Sequence, residues 1–187
     1  MKRAQILLLI FLAAPLFLGP GKAAVVLGGS AGQGEPYAPI SWDDLIPPGW
    51  DPGQVFDSLN FAEMADNDPR ADQALEKFKK MWDEAPTNPA LEGRAVKILG
   101  FVASLDFSGQ DELKEFLLVP YFGACIHVPP PPANQIIHVT VAEPRRGLRS
   151  MDMVTVSGRL TLEKHQADMG HSGYSLKAES LEPYVLK

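Results

Sequence analysis

Cys125, His127 and His138 are the residues whose types and spacing are best suited to chemistry. The run from Glu115 to Val139 holds the only cysteine of the 187-residue chain and two of its four histidines. A thiolate and two imidazoles are soft to borderline donors, and such sets select zinc or copper over magnesium or calcium. In an extended strand, Cys125 and His127 fall on one face, roughly two 3.3 Å rises apart. If residues 128–137 form a hairpin connection, His127 and His138 face each other across the ladder. The three side chains then converge on one metal, zinc or copper. The spacing matches no named zinc module. The competing reading is a buried cysteine beside two hydrogen-bonded histidines.

Other residues form weaker sets. Cys125 could act as a nucleophile with His127 or His138 as its base and Asp106 or Asn134 to orient that base, but no oxyanion-hole motif accompanies them. A cysteine-dependent enzyme therefore ranks third, and no catalytic residue is assigned. His165, Asp168 and His171 lie on the segment between two expected strands, as a second metal-capturing loop, as the missing arm of the first site, or as solvated loop residues. Pro129, Pro130, Pro131 and Pro132 make a stiff polyproline II stretch, either a connection that keeps a sheet edge unpaired or a ridge for a partner's aromatic groove. Trp42 and Trp50, set among turn residues, pin an arm to the domain or dock a partner.

These residues need a frame, and the hydrophobic pattern supplies one. Asp68 and Pro69 fit an N-cap and a first helical position. Ala71, Ala74, Leu75, Phe78, Met81, Trp82 and Ala85 then recur at helical spacing, and Pro86 ends the run. Beyond Pro89 the texture changes to strands, predicted at 94–103, 115–122, 135–141, 153–162 and 173–185. Val96, Ile98 and Val102 share a face in the first, where Gly100 marks a bulge or a barrel corner. Five strands in this order predict a mainly β fold: a small five-stranded OB-like barrel, preceded by an amphipathic helix and an aromatic, proline-rich arm.

The N-terminus is of another kind. Lys2 and Arg3 precede an apolar run from Ile6 to Leu18, with small residues at Gly21 and Ala23, the pattern of a signal peptide over residues 1–23. A retained anchor is the alternative, although the run is short for a membrane span. Residues 24–67 then make the lead-in and arm, and 68–187 the helix and barrel. Removing Lys2, Arg3 and Lys22 from the 17 basic residues leaves 14 against 23 acidic ones, a net charge of −9. That balance argues against nucleic acid and against an anionic membrane surface as partners. The one basic cluster, 144–149, is too short for a nucleic-acid footprint.

The stretch Leu91-Glu-Gly-Arg-Ala-Val-Lys-Ile-Leu-Gly-Phe-Val, the run from Phe116 to His138 and the end Gly173-Tyr-Ser-Leu-Lys-Ala resemble an uncharacterised family of exported bacterial proteins, a domain of unknown function. The arm from Ser41 to Trp50 and the helix end at Trp82–Pro86 are similar to it too. The most specific part is Phe-Gly-Ala-Cys-Ile-His followed by Val and four prolines. The resemblance implies a periplasmic accessory role beside an ABC transporter, with zinc handling plausible, and it carries over no catalytic residue. The sequence thus points to an exported accessory binding protein with Cys125, His127 and His138 as metal ligands. Its partner would be an ABC permease or a periplasmic binding protein. The rival is an adaptor without metal that uses the prolines and the two tryptophans.

Overall fold

The computed structural model describes residues 37–60, 64, 68–105, 112–127 and 129–184. The expected signal segment, the start of the lead-in, Asp106 and the last three residues lie outside them. Ten elements follow in order. They are β1 (Ala38–Pro39), α1 (Pro52–Asp57), α2 (Pro69–Asp83), β2 (Ala95–Ser104), β3 (Glu112–Val119), β4 (Ile137–Arg146), β5 (Met153–Thr161), β6 (His165–Ala167), β7 (Gly170–Ser172) and β8 (Tyr174–Pro183).

Five of the strands close on themselves. The order is β2-β3-β4-β8-β5, and β5 pairs again with β2. All neighbours are antiparallel except β4 and β8, which run parallel. This is the expected OB-like barrel. Closure removes the exposed edges that an open sheet of this size would leave. β1 adds a short parallel strand beside β2.

Alternation fills the interior. Val96, Ile98 and Val102 of β2, Phe116 and Leu118 of β3, Ile137 and Val139 of β4, Val154, Val156 and Leu160 of β5, and Tyr174 and Leu176 of β8 are all buried in one cluster. Their register pairs coincide, for example Phe116 with Val139 and Val139 with Leu176. Because side chains alternate faces, the residues between them are sent outward. His138 and Thr140 of β4 are two of these.

β2 makes the corner of the barrel. Its residues pair with β5 up to Phe101, and from Phe101 onward they pair with β3. Gly100 sits at that change, as its position predicts, and it has a second duty. A Cβ there would come within 2.8 Å of Trp42 Cζ2 and 2.9 Å of the Val119 carbonyl oxygen. The missing side chain thus lets the indole lie against the strand, and the Trp42 ring N–H donates to the Leu99 carbonyl at 2.8 Å. The register shifts fall elsewhere, at Leu113–Glu115 and at Ser157–Gly158.

The arm is held from inside the barrel as well. The Tyr174 hydroxyl, fully buried, donates to the Leu45 carbonyl at 2.6 Å and accepts from the Asn88 N–H at 2.5 Å. One phenol therefore joins the arm, the approach to β2 and the start of β8.

α2 starts and stops where its sequence dictates. The Asp68 carboxylate accepts from the Arg70 N–H at 2.9 Å, and the same arginine's side chain holds that carboxyl down to about 2. Its apolar stripe is less covered than the spacing predicts. Ala74 is buried, but Leu75 is 56% exposed. The helix packs by its C-terminal half, where Phe78 lies 4.9 Å from the Trp82 ring and the Trp82 N–H donates to the Pro130 carbonyl.

Candidate functional site

The segment after β3 departs from the strand expected there. Pro120 ends the ladder, and residues 121–127 form consecutive turns, with the His127 N–H donating to the Gly123 carbonyl at 2.8 Å. Gly123 and Cys125 both take left-handed backbone angles, φ 80° and 62°. Such angles are uncommon outside glycine and cannot continue a strand. Cys125 and His127 therefore do not share a strand face. The reason is local: Phe122, Ala124 and Ile126 alternate as the residues of a strand do, while Gly123 and Cys125 turn the backbone, and a turn that covers apolar surface reads like a buried strand.

What this turn covers is the outside of the barrel. Leu117 and Val119 of β3 and Ala103 of β2 point outward and are buried beneath Ala124 and Ile136, with Cys125, Ile126 and Met169 packed around them. The sulfur of Cys125 would lie 3.5 Å from a Cβ at Gly170. Burial in this apolar layer pushes the thiol up to about 11. His127 is exposed at the edge of the turn.

His138 belongs to different surroundings. Its register partner across β3 is Leu117 rather than His127. Its ring stacks on the ring of His165, centroids 3.8 Å apart and 6° from parallel, and its Nε2 lies 3.3 Å from Glu115 Oε2. Burial first, and His165 second, hold His138 below its ordinary value, against the opposing pull of Glu115 and Glu163. Among the described residues no three or more His, Cys, Asp or Glu side chains are grouped to hold a metal ion. Cys125, His127 and His138 are thus not brought together.

The second histidine set is also divided. Residues 165–172 form a hairpin in which His165 pairs with Ser172 and Gln166 with His171. Neighbouring pairs point to opposite faces. His165 meets His138, while the His171 Nδ1 lies 3.7 Å from Asp83 Oδ2 of α2. Asp168 sits exposed in the turn between the two short strands. Of the tetraproline, Pro131 and Pro132 are buried and Pro129 is exposed, so only its first half offers surface. Trp42 is engaged against β2, as described, and Trp50 is partly buried after the turn at Pro47. Asn134, fully buried, donates to the Pro86 carbonyl at 3.0 Å.

Apart from His138 and His165, the residues that do converge are ones the sequence did not single out. The outward positions of three adjacent strands form a polar floor. One row is His138, Ser175 and Thr161, and the next is Thr140, Lys177 and Arg159. With Glu163, Lys164 and His165 as a wall, they line a recess of about 470 Å³. Two hydroxyls are already committed: Ser175 donates to the Glu163 carbonyl at 2.9 Å and Thr161 to the Ser175 carbonyl at 3.3 Å. Those bonds fix the wall to the floor. A second groove of about 550 Å³ runs behind the hairpin, between Lys80 and Asp83 of α2 and His171.

A small OB-like barrel with a polar recess on its outer face and an apolar layer beside it is the class that fold and site define. Residues 42–183 match the family model described as a protein of unknown function, DUF3299, and the chain belongs to that family. It is similar to the crystal structure of a DUF3299 family protein from Pseudomonas aeruginosa PAO1, with 29% sequence identity and a TM-score of 0.63. That likeness covers 82% of this chain and 99% of the other. No curated protein matches the chain.

Proposed function

We propose that this protein is an exported accessory binding module of the cell envelope that holds a small ligand in the recess on β4, β8 and β5. The observation that carries the reading is where the recess lies. OB folds receive ligands on the face of their second and third strands, beside the loop between the fourth and fifth. The recess shares the third barrel strand, β4, and the connection between the fourth and fifth, the β6–β7 hairpin that supplies His165, and it extends over the fifth and fourth strands instead of the second. The argument is one of fold analogy joined to a cavity whose size suits a small molecule. Export follows from the charged and apolar N-terminus, and service to an ABC transporter, through its permease or binding protein, follows from the family resemblance. Zinc handling would need a donor set other than Cys125, His127 and His138 together.

Amide chemical-shift mapping tests the reading. The protein is titrated with a panel of sugars, amino acids, dicarboxylates, phosphate and zinc. At least one compound should perturb amides of residues 138–140, 159–165 and 175–177 as a group. A panel that leaves those three stretches unmoved would remove the recess as a ligand site.

A further inference from the structure

We propose that the His165 side chain is a proton-operated gate on the recess: neutral, it stacks on His138 and covers one end; protonated, it leaves for the carboxylates of the groove behind the hairpin and uncovers the recess. This rests on the reading of the recess as a ligand site and adds the condition under which that site opens.

The place of the ring carries the argument. His165 lines both the recess of about 470 Å³ and the groove of about 550 Å³, so its imidazole stands at the boundary between two open volumes. On the recess side it lies against the His138 ring, centroids 3.8 Å apart and 6° from parallel. The backbone around it is fixed by other means. Ser175 donates to the Glu163 carbonyl, the Gly173 N–H donates to the Ala133 carbonyl at 2.6 Å, and Met169 at the hairpin tip packs into the apolar layer. The motion is therefore one of the side chain alone, with room on either side.

A stacked pair of imidazoles accepts one proton and resists a second. An imidazolium lies well on a neutral ring, whereas two imidazoliums at this spacing are like charges in contact. When both are charged, His138 is the one that stays. It is buried on β4, and Glu115 Oε2 of β3 lies 3.3 Å from its Nε2 to hold a proton there. His165 is only half-buried, on a three-residue strand, and is the one expelled. Burial, and then the neighbouring His165, already hold His138 below its ordinary value.

The charges on the two sides agree in direction. Lys164, Lys177 and Arg159 stand against Glu163 in the recess lining, which gives a second imidazolium little reason to remain. Across the groove α2 presents Glu76, Asp83 and Glu84, with Lys79 and Lys80 between them. His171 of β7 already faces that side, its Nδ1 3.7 Å from Asp83 Oδ2, so Glu76 and Glu84 are the carboxylates left for His165.

The test is a titration of the full chain from about pH 8 to about pH 4.5, followed by proton–carbon spectra of the four histidine rings. At the alkaline end the ring protons of His138 and His165 should lie upfield of those of exposed His127, each under the other's ring current. On acidification His165 should lose that upfield displacement, beyond the change that protonation itself brings to His127. Broadening of the Thr140, Ser175 and Lys177 amides by a soluble neutral nitroxide should rise with it. His138→Phe keeps a ring under His165 that cannot take a proton. A charged His165 gains from an aromatic face, so this variant should stay stacked and shielded from the nitroxide across the range. Circular dichroism verifies its fold, and His165→Phe, on the more exposed partner, should stay closed in the same way. A wild-type stack that survives at the acid end would overturn the proposal, as would either variant opening as the wild type does. Neither readout needs a ligand, so such a failure leaves the ligand-site reading standing.

Discussion

Alkylation of Cys125 separates an inert thiol from a ligand or a nucleophile. The sulfur sits in the apolar layer formed by Leu117, Val119, Ala124 and Ile136, on a residue with a left-handed backbone. Desolvation raises the thiol from an ordinary 9.0 to about 11. Only the thiolate reacts with iodoacetamide. At pH 8 the thiolate fraction falls from about 10⁻¹ to about 10⁻³, so Cys125 should react roughly 100-fold more slowly than the cysteine of a short unstructured peptide. Its rate should keep rising about tenfold per pH unit to pH 10, where the peptide has levelled off. Equimolar zinc should give no protection, because a metal that took the sulfur as ligand would deprotonate it outright and block it. The measurement is a mass-spectrometric time course at several pH values. A rate that levels off near pH 8.5, or protection by zinc, would refute the burial argument and return Cys125 to the candidate ligands.

Two further outcomes follow from other side chains. Tyr174→Phe deletes one bond to Leu45 and one from Asn88 and strands both backbone groups; it should cost about 2–4 kcal/mol in urea denaturation, and a loss under about 0.5 kcal/mol would mean the phenol holds nothing. His138 has a depressed folded-state value, so the unfolded chain takes up a proton that the folded chain refuses. The stability this contributes is complete above pH 6.5 and is lost as pH falls from there through the lower folded value. The urea midpoint should therefore drop between pH 7.5 and pH 5.5, and drop less in His138→Gln; a midpoint that rises on acidification contradicts the depressed value of His138.

Much of the scaffold was legible because each local signal agreed with the global fold. Asp68-Pro69 and Pro86 bracket α2, and the alternation of Val96, Ile98 and Val102, or of Val154 and Val156, sets inward faces that hold in the barrel. The start of β4 was placed two residues early and its end five residues short, because the basic cluster at 144–149 reads as a turn although Arg145 and Arg146 continue the ladder to Leu113 and Glu112. The hairpin of β6 and β7 was read as loop because three-residue strands carry too little alternation to register. The recess was illegible for another reason. His138 and Thr140, Arg159 and Thr161, Ser175 and Lys177 are each only two outward positions on a strand. What makes them a site is the register between β4, β8 and β5, and that depends on a parallel pairing of residues 137–141 with 174–178 that short-range pattern does not encode. The Cys-His set failed through the reverse error: nearness in sequence was taken for a shared face, and two left-handed residues turned the chain away.

The Tyr174 hydroxyl also imposes an order of events. Leu45 and Asn88 emerge from the ribosome long before residue 174, yet neither obtains its buried partner until the final strand is made. β8 must also fill the gap between β4 and β5 before the barrel can shut. The arm's bond to Tyr174 therefore waits for β8, and translation has to pass residue 183 before the ring is complete. Loss of the residues from 174 onward would leave a five-stranded design with four strands, two raw edges and an arm held only through β2, a species exposed to strand-to-strand association with its own kind.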